Sequence, residues 1–125
     1  EAMWKMLQQK KPNDYVIATG RMETVKRFCE LAAGELGWSN GSNDKSLLWE
    51  GSGKDEIGRR IDTGQIVIRV DKRYYRPTEV DELLGDSSKA KNELGWEPKI
   101  SLEEMVKEMV LEDKVQALRQ LSKEK

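Results

Sequence analysis

The chain has 125 residues, with 22 Lys and Arg against 23 Asp and Glu, a net charge of −1, one cysteine and no histidine. That length predicts one domain or part of one. Without histidine the chain holds no Ser-His-Asp or Cys-His nucleophile pair and no histidine-built zinc site, and one cysteine makes neither a Cys-only metal site nor an internal disulfide, so no metal is expected. The near-neutral balance gives no basic field for nucleic acid or an acidic membrane. No leader and no apolar run near the ~18 residues of a membrane span is evident, so a cytoplasmic location is expected.

Met3, Met6 and Leu7 predict an opening helix that ends by Pro12. No capping residue precedes it, which predicts that the chain starts inside a helix of something longer. Tyr15-Val16-Ile17-Ala18 reads as a buried strand leading into the Thr19-Gly20 turn. A helix follows from Thr24 to Leu36, with Val25, Phe28, Cys29, Ala32 and Leu36 on one stripe and Gly37 as its left-handed stop. Cys29, on that stripe, reads as a small core residue rather than a reactive thiol. Residues 38–46 are polar turn formers and predict a surface loop. Leu47–Glu50 reads as a second strand, residues 51–64 as a mobile loop or hairpin tip, and Ile66–Val70 as a third strand.

Pro77 sits at a good first helical position, followed by Glu79, Asp81 and Glu82, whose charges suit a helix N-terminus. Asp86 or Ser87 caps a further helix through Leu94, ended by Gly95. Ser101 and Glu104 form a capping box for the last helix, whose stripe is Leu102, Met105, Val106, Met109 and Val110. Asp113 interrupts that stripe, so residues 114–125 are expected as a helical extension or frayed tail beyond a domain of residues 1–113. Short strands among helices predict a small mixed α/β domain, the satellite of a larger sheet.

For chemistry, Gly51-Ser52-Gly53 opens no apolar helix and makes no nucleotide loop, and no Tyr-x-x-x-Lys pair occurs. No catalytic residue is therefore assigned. The four tryptophans, Trp4, Trp38, Trp49 and Trp96, read as packing residues. The segment Lys72 to Glu79 concentrates cations and aromatics before a helix start, where an arginine can fork onto a phosphate and a carboxylate can accept from ribose hydroxyls. Spacing leaves a second reading open, in which Glu79 caps its own helix and the tyrosines pack on a strand. DNA or RNA is the poorer ligand, because Glu79, Asp81 and Glu82 would repel a phosphate chain.

Tyr74-Tyr75-Arg76-Pro77-Thr78-Glu79-Val80-Asp81, Leu83-Leu84-Gly85-Asp86, Ser88-Lys89-Ala90-Lys91 and Leu94-Gly95-Trp96-x-Pro98 closely resemble the C-terminal part of GDP-mannose 4,6-dehydratases. Glu1-Ala2-Met3-Trp4, Tyr15 to Gly20 and Trp49-Glu50-Gly51 are similar to the same family, whereas residues 38–46 look longer and more polar than its pattern. The resemblance implies the substrate-binding part of an extended short-chain dehydrogenase whose Rossmann fold, NADP site and Ser/Thr-Tyr-Lys-Glu catalytic groups lie upstream of the matched region. It implies that Arg76 contacts the diphosphate of GDP-mannose or GDP and that Glu79 holds its ribose, with Tyr74 beside them. The family converts GDP-mannose to GDP-4-keto-6-deoxymannose, so the chain alone is expected to bind without turnover and to hold no cofactor itself. The rival readings are a stand-alone GDP-sugar-binding module and a structural or interaction piece. Apolar surface left open would favour a homo-oligomer.

Overall fold

The computed structural model describes residues 1–39, 45–76 and 83–123. They form two compact units, the first with helices alone as regular structure and the second with helices and a three-stranded sheet. Residues 1–23 and 83–101 make the first, and residues 24–39, 45–76 and 102–123 make the second.

The first unit holds helix α1 (Ala2–Leu7), which is short and has no side-chain cap, as the absence of a capping residue predicts. It ends well before Pro12, and Met3 and Leu7 stand exposed rather than lining a packed side. Trp4 is 64% exposed, which corrects its reading as a packing residue. Lys5 holds the helix in place by pairing with Glu1 at 3.1 Å and donating from Nζ to the Gly95 carbonyl at 2.8 Å.

Residues 15–18, expected as a buried strand, pair with no strand among the described residues, and Val16 and Ile17 are 52% and 43% exposed. An apolar run becomes a strand only where a neighbour takes up its amides. Here side chains fasten the run instead. The Tyr15 hydroxyl donates to Glu93 at 2.9 Å, and Lys89 Nζ lies 5.0 Å from the Tyr15 ring and donates to Asn13 Oδ1 and to the Asp14 carbonyl. The Gly85 backbone packs on this run so closely that a Cβ there would stand 2.5 Å from that of Ala18.

Glu93 and Lys89 belong to a seven-residue helix (Ser88–Leu94) near the end of this unit, which buries Ala90 and Leu94 and stops at Gly95 with φ +60°. Of the two expected caps it is Asp86 that acts, accepting from the Ser88 amide at 2.9 Å and from Ser88 Oγ at 2.5 Å, whereas Ser87 makes no side-chain cap bond. Those bonds hold the Asp86 carboxyl below its ordinary value of 3.8. A lowered folded pKa means a contribution present above the ordinary value and lost as pH falls through the folded one. Amide protection across Ser88–Leu94 is therefore expected to hold down to about pH 4 and to drop as pH is lowered further, below the ordinary carboxyl value. Glu97, lowered by its bond to Lys91, titrates in the same sense. Asp86→Asn should then flatten part of that slope by NMR exchange, and an unchanged slope would remove Asp86 as the cap.

In the second unit, helix α2 (Val25–Glu35) starts where Thr24 Oγ1 accepts from the Arg27 amide at 3.1 Å, and Gly37 follows its end with φ +76°. Its packed face keeps the middle of the expected stripe, loses its two ends and takes in Ala33. Val25 is exposed, Phe28, Cys29 and Ala32 are half-buried, and Ala33 is the most buried residue of the helix. Buried Ser46 donates from Oγ to the Glu30 carbonyl at 2.8 Å, and Trp49 Nε1 donates to Glu30 Oε1 at 3.0 Å. Cys29 is half-buried, and burial, with the Glu30 charge, pushes its thiol up, in keeping with a packing role.

The sheet is an antiparallel meander of β1 (Leu47–Glu50), β2 (Ile57–Arg60) and β3 (Ile66–Arg69), in that order. β2, its centre, lies inside the stretch expected as a mobile loop or hairpin tip, and that stretch does end in the turn that joins β2 to β3. The register sets Trp49 opposite Gly58 and Gly58 opposite Ile68. Gly58 is buried because the Trp49 ring and Ile68 close over it, 3.1 and 3.2 Å from where a Cβ would be. Glycine here supplies room rather than a turn.

The last helix (Leu102–Lys123) begins directly after Ser101, as the capping box predicts, and runs unbroken through Asp113. We label the helix of the first unit (Ser88–Leu94) α3 and this one α4. α4 packs on α2 through Val106, which is 1% exposed. Among the described residues no helix is long and apolar enough to cross a membrane.

Candidate functional site

The cation-rich segment leaves the end of β3. Val70 donates its amide to the Glu56 carbonyl, and a turn then closes with the Tyr74 amide on the Asp71 carbonyl at 3.0 Å. Asp71 is the organiser of this turn. Its carboxylate accepts from the Arg73 amide at 3.0 Å and from Arg73 Nε and Nη2 at 3.1 and 2.7 Å. Those bonds, the side-chain ones first, hold the Asp71 carboxyl below its usual range and raise the Arg73 guanidinium.

The donors of the segment are therefore unequally committed. Arg73 is forked onto Asp71 and lies 5.5 Å from the Tyr74 ring, and Lys72 faces Asp55 at 3.5 Å. Arg76 is exposed and has no hydrogen-bond or ion-pair partner among the described residues. Its five donors remain available to a ligand.

The two tyrosines also separate. Tyr75 packs its hydroxyl end near Gly53, 3.4 Å from where a Cβ would be, whereas Tyr74 is 76% exposed. Neither is a β3 residue, so strand packing does not account for them. Glu79, with the expected helix start at Pro77 and the acidic residues Asp81 and Glu82, lies outside the described residues.

Two arginines that the sequence reading left in a loop belong to β2, and both are occupied structurally. Arg59 Nε donates to Glu50 at 2.9 Å. Arg60 forks onto Asp62 at 2.9 and 2.6 Å and lies 4.4 Å from the Trp38 ring centroid. A shallow groove along α4 is lined by Met105, Glu108, Met109, Glu112 and Asp113. Its three carboxylates would repel a diphosphate.

Among the described residues no group of three or more acidic, cysteine or histidine side chains could hold a metal ion. Nor do these residues suit a dinucleotide. The sheet is antiparallel throughout, and the glycine-rich turn after β1 opens only a three-residue 3-10 turn, Gly53–Asp55, rather than an α-helix.

Set against known proteins, residues 1–109 match the family described as GDP-mannose 4,6 dehydratase. The chain belongs to that family. It is 51% identical over 113 residues to GDP-mannose 4,6 dehydratase 2 of Caenorhabditis elegans, covering 90% of this chain and 28% of that protein. It is 46% identical over 113 residues to the human GDP-mannose 4,6 dehydratase, again 90% of this chain and 28% of the other. With the Vibrio cholerae GDP-mannose 4,6-dehydratase it shares 46% identity over 120 aligned residues, 88% of this chain and 30% of that one. The chain thus spans less than a third of the length of these dehydratases. The matched region takes in both units and the whole of the cation-rich segment, so the motif resemblance that singled out Arg76, Glu79 and Tyr74 stands within a family relationship over nearly the full chain.

Proposed function

We propose that this chain is the GDP-sugar-binding part of a GDP-mannose 4,6-dehydratase, with residues 1–113 as the binding domain. In this reading Arg76 forks onto the diphosphate, Glu79 accepts from the ribose hydroxyls, and Tyr74 lines the approach. The observation that carries it is the contrast within one short segment: Arg73 and Lys72 are matched by Asp71 and Asp55, while Arg76 stands exposed with no partner among the described residues. An arginine held in reserve next to an exposed aromatic suits a phosphate-bearing ligand, because the guanidinium fork matches two phosphate oxygens.

The dehydration of GDP-mannose to its 4-keto-6-deoxy product is a redox-neutral lyase reaction, in which NADP supplies hydride chemistry when bound. That chemistry belongs to the whole enzyme, working in the cytoplasm. These 125 residues contain neither a Tyr-x-x-x-Lys pair nor a histidine base, so binding without turnover is the part proposed for them. Isothermal titration calorimetry separates the reading from its rivals. GDP and GDP-mannose are expected to bind and guanosine not to, since the arginine recognises the diphosphate. Equal binding of guanosine, or no heat with GDP, would sink the assignment, as would 4-keto sugar formed by the pure chain.

A further inference from the structure

Beyond Val110 the helix α4 leaves its packed surroundings. Val106 is buried and Val110 half-buried, but residues 111–123 are exposed throughout. A free helix of 13 residues is marginal in water unless an apolar face is covered. This stretch has such a face. Leu111, Val115 and Leu118 fall at i, i+4 and i+7 on one stripe, and they are 62, 38 and 58% exposed. The 4-then-3 spacing is the seam of a coiled coil, and Ser122 continues it as a small residue one step further.

The charges beside the seam say what can cover it. The α4 residues from Glu103 to Asp113 carry five carboxylates against Lys107 alone, and residues 114–123 carry Lys114, Arg119 and Lys123 with no acid. The helix is thus acidic in its first half and basic in its second. Glu112 and Arg119 flank the seam on the same side, one heptad apart. Glu112 is engaged only by Gln116 Nε2 at 3.3 Å, and the Arg119 side chain has no partner among the described residues.

We infer that this half of α4 pairs antiparallel with the same helix of a second copy of the chain. Turning one helix end over end brings Val115 opposite the second copy's Leu118, and Leu111 opposite its Ser122. In the same register each Glu112 faces the other copy's Arg119, so the two-fold axis makes that ion pair twice. A parallel alignment sets Lys114 against the second copy's Arg119 across the flank, a like-charge contact that the antiparallel register lacks. The seam is short and the association accordingly weak.

The test uses the intact chain and two single variants, Glu112→Arg and Arg119→Glu, in sedimentation equilibrium at loadings up to about 1 mM. The unsubstituted chain is expected to dimerise, and each variant to weaken dimerisation about tenfold, since both symmetric pairs turn repulsive together. Mixed one to one, the two variants are expected to associate as well as the unsubstituted chain. In the mixed pair the introduced cation at position 112 meets the introduced carboxylate at position 119, and at the other end the native Glu112 and Arg119 meet as before. That recovery also shows that both variants fold. A chain that stays monomeric throughout overturns the proposal and leaves the stripe to some other partner. Dimers indifferent to either substitution, or variants that do not recover on mixing, overturn it equally.

Discussion

Val106→Asp is expected to unfold the second unit at neutral pH. The Val106 side chain sits at 1% exposure on α4, the helix that packs on α2, so a carboxylate placed there would be cut off from water. Burying an unpaired charge in such a place costs more than about 4 kcal/mol, a large share of the roughly 5–15 kcal/mol that holds a domain together. Val106→Ala removes only two methyl groups and should cost about 1–3 kcal/mol, which separates lost packing from buried charge. Far-UV circular dichroism during thermal melts measures both. The Asp variant should regain part of its structure near pH 4, where its carboxyl can be buried protonated, and Val106→Asn should show no such recovery. If the Asp variant melts within a few degrees of the Ala variant at pH 7, α4 does not seal the core as described.

How far such features could be read in advance depended on whether they are local. The start of α2 at Thr24, the Gly37 and Gly95 stops and the start of α4 after Ser101 are set by neighbours within four residues, and all are where the sequence places them. β2 was not legible, since Ile57-Gly58-Arg59-Arg60 shows one apolar residue among charges. Its glycine is demanded by the Trp49 ring and Ile68 from two other strands, and its arginines are discharged onto Glu50 and Asp62. The opposite error at residues 15–18 has the same origin, because an apolar run looks like a strand whether or not a partner strand exists. Nor does any window on α2 show that Ser46 and Trp49 bond to Glu30.

The candidate site divides along the same line. Composition marked the whole stretch from Lys72 to Glu79, and family motifs singled out Arg76, Glu79 and Tyr74 within it. Spacing could not say which cations were already taken. That depends on Asp71 and Asp55, one inside the turn and the other at the far end of the β1–β2 connection. Once those two pairs are subtracted, the positive charge available to a ligand is concentrated at Arg76, beside an exposed Tyr74.

That subtraction makes the second large effect specific to one residue. Arg76→Ala is expected to weaken GDP binding about 10- to 100-fold, the loss of charge-assisted hydrogen bonds worth about 1.5–3 kcal/mol. Arg73→Ala should weaken it far less, because its guanidinium is spent on Asp71. Arg76→Lys keeps the charge but loses the fork, so it should fall between the arginine and the alanine and depend more steeply on salt. Neither substitution at Arg76 should shift the melting temperature, since its side chain has no partner among the described residues to lose. A binding defect there cannot then be a folding defect in disguise. Glu79→Gln provides the companion test on the ribose side. It should weaken GDP while leaving a dideoxyribose analogue unchanged, since that analogue has no hydroxyl to donate. Calorimetry on this set decides the matter: equal losses at Arg73 and Arg76 would mean a diffuse field, and no loss at Arg76 would move the diphosphate elsewhere.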